Sequence, residues 1–250
     1  GVFEAIFVRA QDIPEFVADG AADVGITGLD LITESGRCLR PISDLGFGRC
    51  RLAIAATEGS GIQTVADIPS GSRVATSFSR TTARYFAEVS LDITLVPVSG
   101  AAEIAPHLGI ADVIVDLVST GSTLRVNGMR EVATILDSSA RIVVREEDAS
   151  PTIDTERRST IDDLVSALES VIRARGQRYV MANVRRDQLV EAKRILPGLN
   201  GPTVIDIMNG GQFVAVHAVV PASGIYRTIS DLRAIGAEGV LVTRIERLVP

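Results

Sequence analysis

Lysine is nearly missing from this chain: Lys193 is the only one, so almost all positive charge is arginine. That leaves few groups for amine chemistry and many for gripping phosphate through forked hydrogen bonds. Acids outnumber bases, 31 to 25, and the net charge is −6. No basic run breaks this balance, which argues against a general nucleic-acid binder. No apolar stretch is long enough to span a bilayer, and no signal peptide opens the sequence. The expectation is a soluble, cytoplasmic protein with no membrane partner. Cysteine is scarce as well. Cys38 and Cys50 are the only two, which suits free thiols better than a structural disulfide. Neither has a histidine close by in sequence, so neither reads as a nucleophile. His107 and His217 have no chemistry assigned by their surroundings.

What is plentiful is apolar: 46% of 250 residues. That is core enough for one large domain or roughly two to three small ones. One apolar run stands out. Val113 to Val118 is broken by a single acid, Asp116, and leads into Ser119, Thr120, Gly121, Ser122 and Thr123. The run predicts a buried strand, and the small residues predict a strand-to-helix turn. Backbone N–H groups at such a turn, with a helix dipole behind them, suit a phosphate. Gly121 lets the backbone come close to a ligand. Asp116, at the carboxyl end of the strand, can accept hydrogen bonds from two sugar hydroxyls. Together they point to a ribose 5-phosphate. The plain alternative is an ordinary turn with a serine or threonine cap.

Strands and helices alternate along the first part of the chain. Strands are expected at Val2 to Val8, Ala22 to Ile26, Arg51 to Ala56, Arg73 to Thr76, Leu91 to Val98, Glu131 to Leu136 and Ala140 to Val144. Helices are expected at Ile13 to Asp19, with Pro14 near its start and Gly20 at its end, and from Ser77–Arg80 to Val89. Ala101 to Leu108 reads as another helix, with Glu103 in its first turn. That acid caps the helix or reaches into a site at its N-terminus. Thr27, Gly28, Leu29 and Asp30 form a second strand-to-helix turn, either a ligand turn or a plain cap. The alternation predicts an α/β protein with largely parallel sheets. Sites in such sheets lie beyond the carboxyl ends of strands.

Glu146 to Asp154 is charged, contains Pro151 and reads as a loop. Thr155 to Ala174 has helical apolar spacing, and Gly176 marks a boundary. The remainder runs strand (Tyr179–Val184), helix (Arg186–Ile195), two strands (Thr203–Ile207 and Phe213–Val220) joined by the turn at Asn209, helix (Ile225–Ala234), strand (Gly239–Ile245). That β-α-β-β-α-β order is ferredoxin-like.

Several stretches together carry a family resemblance. They are V-R-A-Q-D-I-P, D-G-A-A-D-V-G-I-T-G-L-D, D-L-G-F-G-R-C-R-L, R-V-A-T-S-F, E-I-A-P-H-L-G-I-A-D, D-L-V-S-T-G-S-T-L, L-P-G-L-N-G-P-T and I-G-A-E-G-V-L-V. In this order they resemble the long form of the ATP phosphoribosyltransferase family, which opens histidine biosynthesis. The resemblance implies two periplasmic-binding-protein-like lobes and a C-terminal ferredoxin-like regulatory domain. Residues 1–52 with 150–177 would form the first lobe, 53–149 the second, and 178–250 the regulatory domain. It implies transfer of phosphoribosyl from phosphoribosyl pyrophosphate to N1 of ATP, with Mg2+ held mostly by substrate and histidine as feedback inhibitor. It implies a homo-oligomer, from dimer to hexamer.

By that resemblance Asp116, Ser119, Thr120, Gly121, Ser122 and Thr123 bind phosphoribosyl pyrophosphate. Glu103 lies on the ribose or metal side. Arg9, Thr27 and Gly28 border ATP. Leu199, Thr203 and Gly239 match the histidine pocket. The family's opening strand, its lysine- and glycine-rich loop and its first helix have no counterpart in these residues. The expectation is a sequence cut short. A non-catalytic homologue and a two-lobe solute-binding protein are the competing readings. The phosphate loop beside an acid disfavours both, the missing opening segment favours the first, and the ferredoxin-like tail disfavours the second.

Overall fold

The structure is a computed structural model that describes residues 3–149, 155–208 and 211–249. The chain divides into two compact units, Gly1–Ile161 and Asp162–Pro250. The first contains α1 (Ile13–Ala18), β1 (Gly25–Gly28), α2 (Leu29–Ser35), β2 (Leu39–Asp44), β3 (Cys50–Thr57), β4 (Ser72–Thr76) and α3 (Ser79–Glu88). It continues with β5 (Ile93–Pro97), β6 (Val113–Val118), α4 (Ser122–Val126), β7 (Met129–Ser138) and β8 (Ala140–Arg145). Helix α5 (Thr155–Arg175) crosses from one unit into the other. The division between the two compact units falls inside α5.

The protein is α/β, but its sheets are not largely parallel. The first sheet has the order β1-β8-β2, and both pairings are antiparallel. The second has the order β5-β4-β6-β3-β7. Only β5-β4-β6 is parallel; β3 runs antiparallel to β6 and β7. The reason is connectivity. The chain passes between the sheets twice, through residues 45–49 and through Ser139. Strand β3 enters against the direction of β6, and β8 returns between β1 and β2. Residues 140–145, expected with the second lobe, therefore belong to the first sheet.

Central position explains the apolar runs. Leu52 to Ala56 in β3 and Val113 to Val115 in β6 are all 0% exposed. Strands covered on both faces need no alternation. Strand β2 escaped the sequence reading because Pro41 interrupts it. It is an edge strand with a register shift between Pro41 and Ser43, the setting that tolerates proline. Phe3 to Val8 is not a strand, and Val2 lies outside the described residues. Phe7 is 96% exposed. A β-prone run becomes a strand only against a partner, and no described strand lies beside it. Ala101 to Leu108 is not an α-helix either. A single 3-10 turn, Ala102–Ile104, replaces it. Pro106 lacks the N–H a longer helix would need.

The second unit contains β9 (Gln177–Arg185), α6 (Leu189–Ile195), β10 (Thr203–Asp206), β11 (Phe213–Pro221), α7 (Ile225–Ala234) and β12 (Glu238–Arg244). Its sheet has the order β10-β11-β9-β12, all antiparallel, which is ferredoxin-like. Alternate residues Val180, Ala182 and Val184 turn inward against Ala192, Leu196 and Leu232 of the helices. Asn209, Gly210 and residues 150–154 lie outside the described residues, so the turn at Asn209 and the loop at Pro151 are not described. No described helix is long and apolar enough to cross a membrane.

Candidate active site

Strand β6 lies between β4 and β3, and it outruns β4 at its carboxyl end. Asp116 sits in that overhang, half-buried. Its carboxylate accepts the N–H of Leu117 at 2.7 Å. Burial pushes its pKa up, the Leu117 N–H opposes that, and the negative charge of Glu103 adds to the rise. An ionised carboxylate that water solvates poorly is ready to accept donors from a ligand.

The next five residues form an outward loop. Ser119, Thr120, Ser122 and Thr123 are exposed. Gly121 has φ +72°, the left-handed conformation that favours glycine. Two guanidinium groups hold the loop from behind. Arg51 Nη1 donates to the Ser119 carbonyl at 3.2 Å, and Arg125 Nη1 to the Thr120 carbonyl at 3.3 Å. In a trans peptide the N–H points opposite the C=O, so the N–H groups of Thr120 and Gly121 face away from these arginines. The Thr120 and Ser122 hydroxyls share a hydrogen bond of 3.0 Å. Helix α4 behind the loop has only 5 residues. One turn sums few peptide dipoles, so the expected helix dipole is weak here and the outward groups are those of the loop itself.

Arg51 was not singled out in the sequence. On β3 it pairs with Glu131 of β7 through Nε–Oε1 at 2.7 Å and Nη2–Oε2 at 2.5 Å. Thr134 also donates to Glu131. The Arg51 hydrogen bonds hold the Glu131 carboxyl below its ordinary range, and Thr134 adds to that. Its only sequence signal was its place just after the glycine loop before β3.

The residues expected to border ATP make these contacts within the protein. Thr27 is buried, and its hydroxyl donates to the Ala10 carbonyl at 2.9 Å. Gly28 caps α2. A Cβ there would lie 2.2 Å from Asp30 Oδ1, so the glycine lets Asp30 fold back onto Ser138, whose hydroxyl donates to it. Arg9 is exposed, and its carbonyl accepts the Asp12 N–H at 2.9 Å. The structure thus gathers Glu103, Asp116 and the loop at the carboxyl end of β6 in the second sheet, and ties Thr27, in β1 of the first sheet, to the segment after Arg9.

Leu199, Thr203 and Gly239 do not meet within one chain. Thr203 opens β10 and Gly239 lies in β12, at opposite edges of the sheet. Three strand spacings separate them, roughly 14 Å. As for metal, no group of three or more His, Cys, Asp or Glu side chains among the described residues could hold an ion. Glu103 and Asp116 offer two carboxylates. They fit a Mg2+ that takes most of its shell from a ligand's oxygens and water.

An acid beside an outward, hydroxyl-rich loop, set at the strand ends of an α/β fold, makes a candidate anion site. The comparisons name the chemistry. Residues 9–170 match the family model described as HisG, ATP phosphoribosyltransferase, and residues 174–247 match its C-terminal domain. The chain is 63% identical to the ATP phosphoribosyltransferase of Gemmatimonas aurantiaca, over 100% of this chain and 86% of that protein. It is 50% identical to that of Haloarcula marismortui, over 98% and 84%. Among solved structures it is similar to an ATP phosphoribosyl transferase (HisG:HisZ) complex from Thermotoga maritima, with TM-score 0.58 and 29% identity over 66% of this chain and 78% of that one. The chain belongs to the ATP phosphoribosyltransferase family. It is a pentosyltransferase of the first step of histidine biosynthesis.

Proposed function

We propose that this chain joins C1 of phosphoribosyl pyrophosphate to N1 of the adenine of ATP, releasing pyrophosphate. The observation that carries this reading is the half-buried Asp116 beside the loop Ser119–Thr123. The loop takes the 5-phosphate, and Asp116 takes the ribose 2- and 3-hydroxyls. So anchored, the sugar presents C1 to the incoming nitrogen. Breaking the C1–oxygen bond leaves positive charge on the ring, and the Asp116 and Glu103 carboxylates stabilise it. Positioning and electrostatics suffice, with no protein nucleophile. Mg2+, where bound, neutralises the leaving pyrophosphate.

ATP approaches from the first sheet, with Arg9 as anion clamp and the Thr27–Gly28 backbone as border. Thr27 acts through its backbone in this reading, since its hydroxyl is already engaged. We count residues 140–145 with the first lobe, because β8 pairs with β1 and β2. The second unit serves as a histidine-sensing regulatory domain. Thr203 and Gly239 sit at opposite sheet edges, which favours a pocket built between chains of an oligomer, up to a hexamer. The reaction runs in the cytoplasm, where both substrates are available.

The test is pyrophosphate release with ATP, phosphoribosyl pyrophosphate and Mg2+, with and without histidine. Release that needs both substrates and falls with histidine is the expected result. No release from a folded chain that still binds phosphoribosyl pyrophosphate would count for the non-catalytic reading.

A further inference from the structure

Helix α3 starts behind Phe78, a cap residue that supplies no side-chain acceptor. Its first N–H groups still need partners. The partner comes from beside the other sheet. Glu34, in the last turn of α2, accepts the N–H of Arg80 at 2.9 Å through Oε1. Through Oε2 it accepts the N–H of Thr81 at 2.9 Å and the Thr81 hydroxyl at 2.8 Å. Thr81 is buried. The Arg80 guanidinium lies over Gly36, where a Cβ would come within 2.5 Å of it. Bonds from a helix N-terminus to an ionised carboxylate are charge-assisted and stronger than neutral ones.

The other end of α2 is tied to the crossing between the sheets. The Leu29 N–H donates to the Ser139 carbonyl at 3.1 Å, and the Asp30 N–H to the Ser138 hydroxyl at 3.1 Å. The two crossing segments also bind each other. Leu45 N–H donates to Ala140 O and Ala140 N–H to Phe47 O, both at 3.0 Å. The Ser139 hydroxyl donates to Asp44 at 2.7 Å. These two strands of chain form the natural bending line between the sheets. A rotation about that line that opens the sheets would load the hydrogen bonds from Glu34 to α3. Helix α2 is therefore a strut, fixed at the bending line by Leu29 and Asp30, packed on the second sheet's core through Leu31 and bonded to α3 by Glu34.

We propose that Glu34 is a latch between the two sheets: by capping α3 from α2, it sets their opening and positions the phosphate loop against the Thr27–Gly28 turn. The role of those two turns rests on the transfer reaction proposed above; the latch itself does not.

The test measures a distance in the ligand-free protein. Spin labels go on the exposed Cys38 beside the first sheet and on an Asp92→Cys substitution at the outer strand of the second, with Cys50→Ser removing the other thiol. Glu34→Ala should broaden the distance distribution, and Glu34→Gln, which keeps one acceptor oxygen, should broaden it less. An unchanged distribution in folded Glu34→Ala protein would reduce Glu34 to a cap and overturn the proposal. If Glu34→Ala does not fold, Glu34→Gln decides in the same way. A second arm reads substrate affinity. Glu34→Ala should raise the KM for ATP about tenfold, equivalent to ~1.4 kcal/mol, and leave the Kd of phosphoribosyl pyrophosphate within about twofold. Broadening without this split would keep the latch and reject the assignment of the turns.

Discussion

Two strand-to-helix turns in the first unit look alike as text, Thr27-Gly28-Leu29-Asp30 and Ser119-Thr120-Gly121-Ser122. Both follow an apolar strand, and both offer hydroxyls, a glycine and a nearby acid. Folded, they do opposite things. The first spends its side chains on the protein: Thr27 on Ala10, Asp30 on Ser138. The second leaves its hydroxyls exposed and has its carbonyls held from behind by Arg51 and Arg125. The difference teaches that two turns alike in sequence can differ in which groups they leave free: the first engages its side chains within the protein, and the second keeps them outward.

The comparison can be broken at its strongest point first. Asp116→Asn should weaken phosphoribosyl pyrophosphate binding by about 30- to 100-fold, as loss of charged hydrogen bonds implies, and leave ATP binding nearly unchanged. Calorimetry showing equal weakening of both ligands would remove Asp116 from the sugar site. Gly121→Ala should cost about fivefold in the same affinity, since a left-handed alanine is strained by ~1 kcal/mol and the loop must leave that conformation to relieve it. Its Cβ would also sit 3.3 Å from Arg125 Nη1, whose grip on the loop must then give. An unaltered Kd would mean that the loop backbone does not approach the ligand.

Thr27→Val tests the inward turn. It removes the bond to Ala10 at a buried position, worth about 1 kcal/mol, so the melting temperature should fall by about 2–4 °C with phosphoribosyl pyrophosphate affinity intact. Weaker ATP binding at an unchanged melting temperature would instead make this a ligand turn like the other. The smallest effect concerns pH. Burial raises the folded pKa of Asp116 above 3.8, so the folded state binds more protons than the unfolded one as pH rises past that value. Stability therefore declines through this window and stays lowered above the raised folded pKa. Asp116→Asn should stabilise the ligand-free protein slightly at neutral pH, with the gain vanishing below 3.8. Melts at two pH values would show it; a gain equal at both would assign the effect to something other than ionisation.

What the sequence disclosed was local. The runs Leu52–Ala56 and Val113–Val115 announced buried strands because central position removes alternation. Pro14 and Gly20 bracketed α1 for conformational reasons that need no tertiary context. The acid and loop after β6 were legible because strand, glycine and hydroxyls are contiguous. What stayed hidden was non-local. Glu34 reads as an ordinary surface acid until α3 is set against it, and Arg51 as a strand residue until Glu131 and Ser119 flank it. The pairing of β8 with β1 and β2 leaves no local trace. Phe3–Val8 shows the converse, since apolar β-prone residues alone made no strand.

The placement of β8 also sets a schedule. Among the described residues, β1 and β2 never pair with each other; each pairs only with β8. A ribosome delivers β1 and β2 early and must then make β3 to β7 before Ala140 emerges. The second sheet has all its strands before the first has its centre. Nascent β1 and β2 wait with unpaired edges, the state most open to wrong partners. Within the first unit, β1 and β2 are made before β3 to β7 yet complete their sheet only after them.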